Sequence, residues 1–291
     1  MRSLLFVPGD SPKKLEKGMG SGADALLLDL EDSISPQKKA EARATTVAFL
    51  KDARSTKDRP RLYVRINGIA TGLTDADLDA VVAARPDGIM FPKAEGGAAV
   101  ADCDARIAAR EAKSGLPAGA LDIIAIATET AQAIFLAGTY GGSSKRLKGL
   151  TWGAEDLSVE LGAEANRDRD GNFLAPYMLA RSLCLAGAAA AQVQAIDTVY
   201  VDFRNDAGLR RECEEARRDG FIGKMAIHPA QVAAINEVFT PTAEAIERAK
   251  AVIAAFAADP GAGTIGIGGV MYDRPHLERA RQLLARVKTV R

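Results

Sequence analysis

Eight short apolar runs, separated by longer amphipathic or alanine-rich stretches, limit the folds open to this chain more than any other feature. The runs are SLLFV (3–7), ALLLD (25–29), RLYVRI (61–66), GIMF (88–91), DIIAIA (122–127), LKGLTW (147–152), DTVYV (197–201) and GKMAI (223–227). Between them, helical patterns occupy 36–52, 73–84, 95–113, 129–138, 175–193 and 207–219. Apolar runs this short, bounded by turn residues, read as strands buried on both faces, the mark of a parallel sheet. Eight strand-helix alternations predict a (β/α)8 barrel over 1–240. A doubly wound open sheet is the competing architecture. Against it, no GxGxxG or Walker A pattern follows any run, and GKM at 223–225 lacks the phosphate-loop glycines.

The remaining residues, 241–291, form an extension that a barrel does not need. PTAEAIERAKAVIAAFA (241–257) has a helical pattern, the glycine-rich alternation in 260–271 predicts a small hairpin, and a last amphipathic helix is expected from about Pro275 to Lys288. Such an appendage suits a cap on the barrel bottom or a contact with another subunit.

Composition bounds the function. At 291 residues and 47% hydrophobic content the chain can bury a large core, and its 38 basic and 38 acidic side chains cancel. There is no basic block or aromatic-basic interleaving, so no nucleic-acid partner is expected. Cys103, Cys184 and Cys213 stand far apart without metal-ligand spacing, which points to a reducing compartment. The amino terminus reaches Pro8-Gly9 after a very short apolar run, so neither a signal peptide nor a membrane span is expected, and the protein is read as cytoplasmic.

Polar residues cluster where the runs end: Asp29, Glu31 and Asp32; Arg65 and Asn67; Pro92-Lys93; Glu129; Glu155 and Asp156; Asp202 with Arg204; His228-Pro229. Barrel strands point their carboxyl ends at a common site, so these side chains should share one pocket. Two acids at neighbouring strand ends, Glu129 and Asp156, suit Mg2+ or Mn2+, which keep waters and take further ligands from a substrate. Ion pairing with Arg65, or helix capping, would equally explain them. Asp29, Glu31 and Asp32 could support a metal through its waters or neutralise arginines. Trp152 reads as a packing residue, and His276 as an exposed residue of the last helix.

Taken in order, RSLLFVPG, LLLDLED, YVRIN, FPKAE, the Glu129 strand, WGAEDLS, GFIGKMAIHPAQVAAINEVFTPT and GGVMYDRPHLERARQLL resemble the citrate lyase β-subunit-like family of the HpcH/HpaI aldolase group, which also contains malyl-CoA and citramalyl-CoA lyases. The resemblance covers nearly the whole chain. It implies a Mg2+-dependent (β/α)8 enzyme, usually a homotrimer, that breaks or makes a carbon–carbon bond in a 3-hydroxyacyl-CoA thioester. By motif, Glu129 and Asp156 match the metal ligands and Arg65 the arginine that holds substrate oxygens. Asp273 matches an acid supplied by the neighbouring subunit's carboxy-terminal segment, so the extension would complete the active site. The Pro8–Lys14 loop with Lys13 and Lys14, Ile227, His228 and the Glu155 turn resemble positions along the path of the thioester. From the residues alone, Asp273 could instead cap the helix containing Pro275. Same-scaffold thioesterases, and a citrate lyase β-subunit acting on a carrier-protein thioester, remain alternatives within the resemblance.

Overall fold

The structure is a computed structural model that describes residues 1–289. Among the described residues, eight parallel strands close into a barrel in chain order: β1 (Ser3–Pro8), β2 (Ala25–Asp29), β3 (Arg61–Arg65), β4 (Gly88–Phe91), β5 (Asp122–Ile126), β6 (Leu147–Thr151), β7 (Gln194–Asp197) and β8 (Gly223–Ala226), with β8 pairing back onto β1. Helices α1 (Pro12–Met19), α2 (Lys39–Ala53), α3 (Thr74–Val81), α4 (Gly96–Lys113), α5 (Ala131–Leu136), α6 (Ala154–Glu160), α7 (Ala175–Ala191), α8 (Asp206–Asp219) and α9 (Ala230–Phe239) lie between and after them. The expected (β/α)8 barrel is present.

Side chains alternate between two cores, as the two-residue period of a strand requires. Leu4, Ala25, Leu27, Tyr63, Met90, Ile124, Ile126, Ile196 and Met225 fill the barrel interior. Their neighbours Leu5, Leu26, Leu28, Leu62, Val64, Ile89 and Ile123 pack outward into the helix layer. This alternation fixes the mouth. Asp29 follows Leu27 by two residues and Arg65 follows Tyr63 by two, and the register pairs Asp29 with Arg65 across β2 and β3.

The seventh strand departs from the expected 197–201. It runs from Gln194 to Asp197, so the charged residue ends it instead of opening it. Asp197 is fully buried in the helix layer, where Lys224 (3.0 Å), Arg181 (3.3 Å) and the Trp152 indole N–H (2.7 Å) all reach it. A buried carboxylate with these partners can sit in a strand interior, which the local pattern does not reveal. Helices α1, α6 and α9 are additional to the expected ones.

The last segment folds as α10 (Ala243–Ala258), an antiparallel hairpin of β9 (Thr264–Ile267) and β10 (Val270–Asp273), and α11 (Arg274–Thr289). It has its own small core of Ala249, Val252, Phe256, Leu277 and Ala280. The hairpin strands start later than the expected 260, because Pro260 and Gly261 form the turn leaving α10. Among the described residues no helix is long and apolar enough to cross a membrane.

Candidate active site at the barrel mouth

A cavity of ≈ 320 Å³ opens at the carboxyl ends of the strands. Phe6, Ile126, Val199, Met225 and Ile227 give it apolar walls, while Asp29, Asp32, Arg65, Glu129, Glu155 and Asp156 bring charge to its rim and floor. Few polar groups against apolar walls is the usual make-up of a small-molecule site.

Arg65 is held rigidly. Its Nε and Nη2 donate to the two oxygens of Asp29 at 2.8 Å each, Nη1 lies 3.1 Å from Glu31, and the guanidinium sits over the Phe6 ring, 4.7 Å from its centroid. Asp29 is locked in turn by the backbone N–H groups of Glu31 (2.9 Å) and Ser33 (3.1 Å). Arg65 therefore pairs with strand-end acids, Asp29, Glu31 and Asp32, but not with Glu129 or Asp156, so ion pairing with Arg65 does not account for those two; Asp29 does neutralise an arginine. Nη1 also reaches Asp32 at 3.4 Å, so the second Nη2 hydrogen is what the fork leaves to serve the cavity that Arg65 lines.

Glu129 is 3% exposed. It does not cap the following helix; Thr130 does, accepting the Ala133 N–H at 3.2 Å. Instead Glu129 Oε2 accepts the backbone N–H of Lys93 at 2.7 Å. Lys93 reaches that position with a left-handed backbone, φ 49°, costly for a residue with a side chain. Burial pushes the Glu129 carboxyl well above the usual range, and Asp156, near enough to share its proton, pushes it further, as does the charge of Glu31. Glu31 is itself raised to about 7, by burial and by Asp32, against the opposing pull of Arg65 and Lys93.

Four acids thus crowd one side of the mouth. The Lys93 ammonium bridges three of them, at 2.8 Å from Glu31, 3.5 Å from Asp156 and 3.9 Å from Asp32. Lys93 was recognisable in the sequence only as a strand-end residue; its inward turn depends on the left-handed backbone that no local pattern announces.

The donor set fits a hard divalent cation. Glu129 and Asp156 are adjacent carboxylates, one of them strained by its own charge. Gly153 keeps the space beside them open, since a Cβ there would lie 3.1 Å from Glu129 Oε1. Among the described residues no three His, Cys, Asp or Glu side chains form a metal cage, so any ion would take its other ligands from water or substrate, as Mg2+ commonly does.

The other expected site residues divide between the cavity and its surroundings. Ile227 and Glu155 line the cavity, Glu155 with Asn166 donating to it at 2.9 Å. Lys13 and Lys14 are exposed in the first turn of α1, a helix and not a loop, and do not line the cavity. His228 stacks on Phe203 instead, with ring centroids 4.6 Å apart. Asp273 caps α11: its Oδ1 accepts the His276 backbone N–H at 3.3 Å and bonds the His276 ring, whose hydrogen bond holds the carboxyl below its ordinary value. His276 is accordingly half-buried and engaged. Trp152 packs as expected, fully buried with its edge on Phe173 at 4.9 Å, while also bordering the cavity.

The model of the HpcH/HpaI aldolase/citrate lyase family matches residues 2–229, the barrel and its mouth. The chain belongs to that family. It is an enzyme of a lyase family with the mouth geometry described above. Among its relatives, a (3S)-malyl-CoA thioesterase of Cereibacter sphaeroides is 36% identical over 293 residues, covering 99% of this chain and 95% of the relative. The mitochondrial citramalyl-CoA lyase of Rattus norvegicus is 33% identical over 307 residues, covering 100% and 87%. The crystal structure of the protein CitE from Mycobacterium tuberculosis in complex with magnesium, acetoacetate and coenzyme A superposes with a TM-score of 0.79 at 31% identity, covering 99% of this chain and 98% of that one.

Proposed function

We propose that the protein is a Mg2+-dependent carbon–carbon lyase, with Mn2+ as a substitute ion, that cleaves or forms a 3-hydroxyacyl-CoA thioester such as malyl-CoA, citramalyl-CoA or citryl-CoA in the cytoplasm. The observation that carries this reading is the placement of Glu129, Asp156 and Arg65 on one cavity, acids beside a guanidinium locked by Asp29.

Glu129 and Asp156 would hold the ion. When bound, Mg2+ would act as a Lewis acid and template for the oxygens of the oxoacid part of the substrate. Arg65 would meet the alkoxide charge on the oxoacid oxygen, which is largest before the carbon–carbon bond breaks in cleavage and builds as that bond forms in condensation, and its ion pair with Asp29 means that no reorganisation is needed at that moment. The apolar walls from Phe6, Val199 and Met225 would exclude water from the thioester enolate. Asp273 of a neighbouring subunit in a homotrimer would protonate the enolate carbon in cleavage and remove a proton there in condensation, as a general acid/base; this requires its carboxylate to leave its capping role or to share it. Lys13, Lys14 and His228, which lie outside the cavity, would meet the outer part of the CoA chain.

Thioester hydrolysis is the second reading, favoured by the 36% identity to a malyl-CoA thioesterase against 33% to the citramalyl-CoA lyase. Chromatography of products from a panel of hydroxyacyl-CoA thioesters, with and without EDTA, separates the two. The lyase yields an acyl-CoA and an oxoacid in an EDTA-sensitive reaction. Free CoA with an intact hydroxyacid would establish the hydrolase, and turnover only of a carrier-protein thioester would establish a citrate lyase β-subunit.

A further inference from the structure

Lys93 differs from Arg65 in one respect: it touches the acids of the mouth without lining the cavity. β4 ends at Phe91, and the left-handed backbone two residues later lets Lys93 meet these acids twice. Its backbone N–H donates to Glu129 Oε2 at 2.7 Å, while its ammonium lies 2.8 Å from Glu31 Oε1 and 3.5 Å from Asp156 Oδ1. One residue therefore reaches both carboxylates assigned to the ion, Glu129 through the main chain and Asp156 through its charge. The two contacts act in opposite senses. The N–H fixes Glu129 in place for an ion, whereas the ammonium repels a second cation arriving at the Asp156 carboxylate.

The surrounding charges give that repulsion its weight. Asp29 is engaged by Arg65 through two hydrogen bonds, and the Lys39 ammonium donates to the Leu30 and Glu31 carbonyls and to Asn67 Oδ1. Glu31, Asp32 and Asp156 are left to share the Lys93 ammonium, with Arg65 Nη1 reaching the first two. A bare divalent ion at Glu129 and Asp156 must take over the hold of Lys93 on Asp156, and no third acid among the described residues completes a cage around it. A 2-oxoacid changes this balance. Its carboxylate and carbonyl oxygens fill open coordination positions, and its negative charge offsets the ammonium.

We propose that Lys93 makes filling of the metal site conditional on the oxoacid: its ammonium holds off a bare divalent cation, which binds firmly only together with a 2-oxoacid carboxylate. The inference rests on Glu129 and Asp156 as the ligands of the ion and adds the residue that couples ion to substrate. Lys93 is thus a positioning residue, acting through Glu129 and Asp156 and not on the reacting atoms. Coupling of this kind is reciprocal, so Mg2+ must tighten the oxoacid by the same factor as the oxoacid tightens Mg2+.

The test titrates the intact protein with Mg2+ by calorimetry, with and without saturating pyruvate, in the wild type, Lys93→Gly, Lys93→Met and Lys93→Arg. Glycine removes the ammonium, accepts the left-handed backbone and keeps the N–H for Glu129, whereas methionine keeps the bulk of the side chain. Pyruvate should tighten Mg2+ binding to the wild type by roughly tenfold or more. Lys93→Gly and Lys93→Met should bind Mg2+ alone more tightly than the wild type by a similar factor and gain little from pyruvate, while Lys93→Arg follows the wild type. In EDTA, Lys93→Met should melt below the wild type, and Mg2+ alone should raise its melting temperature by more than it raises that of the wild type. Folded variants that bind Mg2+ alone no more tightly than the wild type overturn the proposal. So does a Lys93→Met that melts lower in EDTA and gains no more from Mg2+ than the wild type, which would leave Lys93 a structural counter-ion. Glu129→Ala in the same titration separates this inference from the reading beneath it: an Mg2+ isotherm that this variant leaves unchanged would place the ion elsewhere and overturn both.

Discussion

The two ends of β5 handle buried charge in opposite ways. At its amino end, Arg146 donates from both Nη atoms to Glu111 at 2.6 Å, and the backbone N–H groups of Gly119 and Leu121 complete that carboxylate at 3.0 Å each. Burial works to raise the Glu111 carboxyl, yet these hydrogen bonds together hold it below its ordinary value. At the carboxyl end, Glu129 has one backbone donor, two acidic neighbours and a distant share in Lys93, and its carboxyl is raised. The amino end is satisfied and therefore structural. The mouth is left short of positive charge, which is the condition a divalent cation would relieve.

Substitutions at the two ends should separate turnover from stability. In Glu129→Ala, Mg2+-dependent turnover is expected to disappear while the barrel keeps its circular dichroism and melting temperature. Glu111→Gln is expected to do the reverse, costing about 3–5 kcal/mol in denaturant unfolding because Arg146 loses its main charge partner, with turnover per folded molecule unchanged. If both variants lose stability alike, the contrast between the ends fails.

A smaller loss, on the order of 10²–10⁴-fold in turnover, is expected for Asp273→Asn, with Mg2+ affinity by calorimetry unaltered. Near-normal turnover would remove Asp273 from the chemistry and leave it as the cap of α11. The smallest effect sharpens the comparison through pH. The folded-state value of Glu31, about 7, lies above the ordinary glutamate value of 4.5, so its contribution is fully present below pH 4.5 and is lost as pH rises through 7. In EDTA, the stability of the wild type relative to Glu31→Gln should fall across that window by an amount on the order of 1–3 kcal/mol. Glu111, lowered, should contribute stability above its ordinary value that fades as pH falls. A flat difference for Glu31 across pH 4.5–7 would contradict the crowding of acids at the mouth.

Much of this was legible in the sequence because a barrel converts chain order into spatial order. Once the strands were recognised, their final residues had to meet at one rim, and Arg65, Glu129, Glu155, Asp156 and Ile227 do line one cavity. What was not legible depends on contacts between distant segments. Asp197 read as a strand opener because its partners Lys224, Arg181 and Trp152 lie 27, 16 and 45 residues away. Lys93 enters the acidic cluster through a backbone conformation that side-chain type does not forecast. The role of Asp273 is divided for a similar reason: the cap is local and visible in one chain, whereas the proposed chemistry needs a second copy.

Thermal unfolding of Glu129→Gln beside the wild type, each in EDTA and in saturating Mg2+, tests the mouth most directly. Glutamine keeps an acceptor for the Lys93 N–H and removes the strained charge. The variant should therefore melt higher than the wild type in EDTA and gain nothing from Mg2+, while the wild type gains. A variant that melts lower in EDTA, or that Mg2+ still stabilises, would contradict the account.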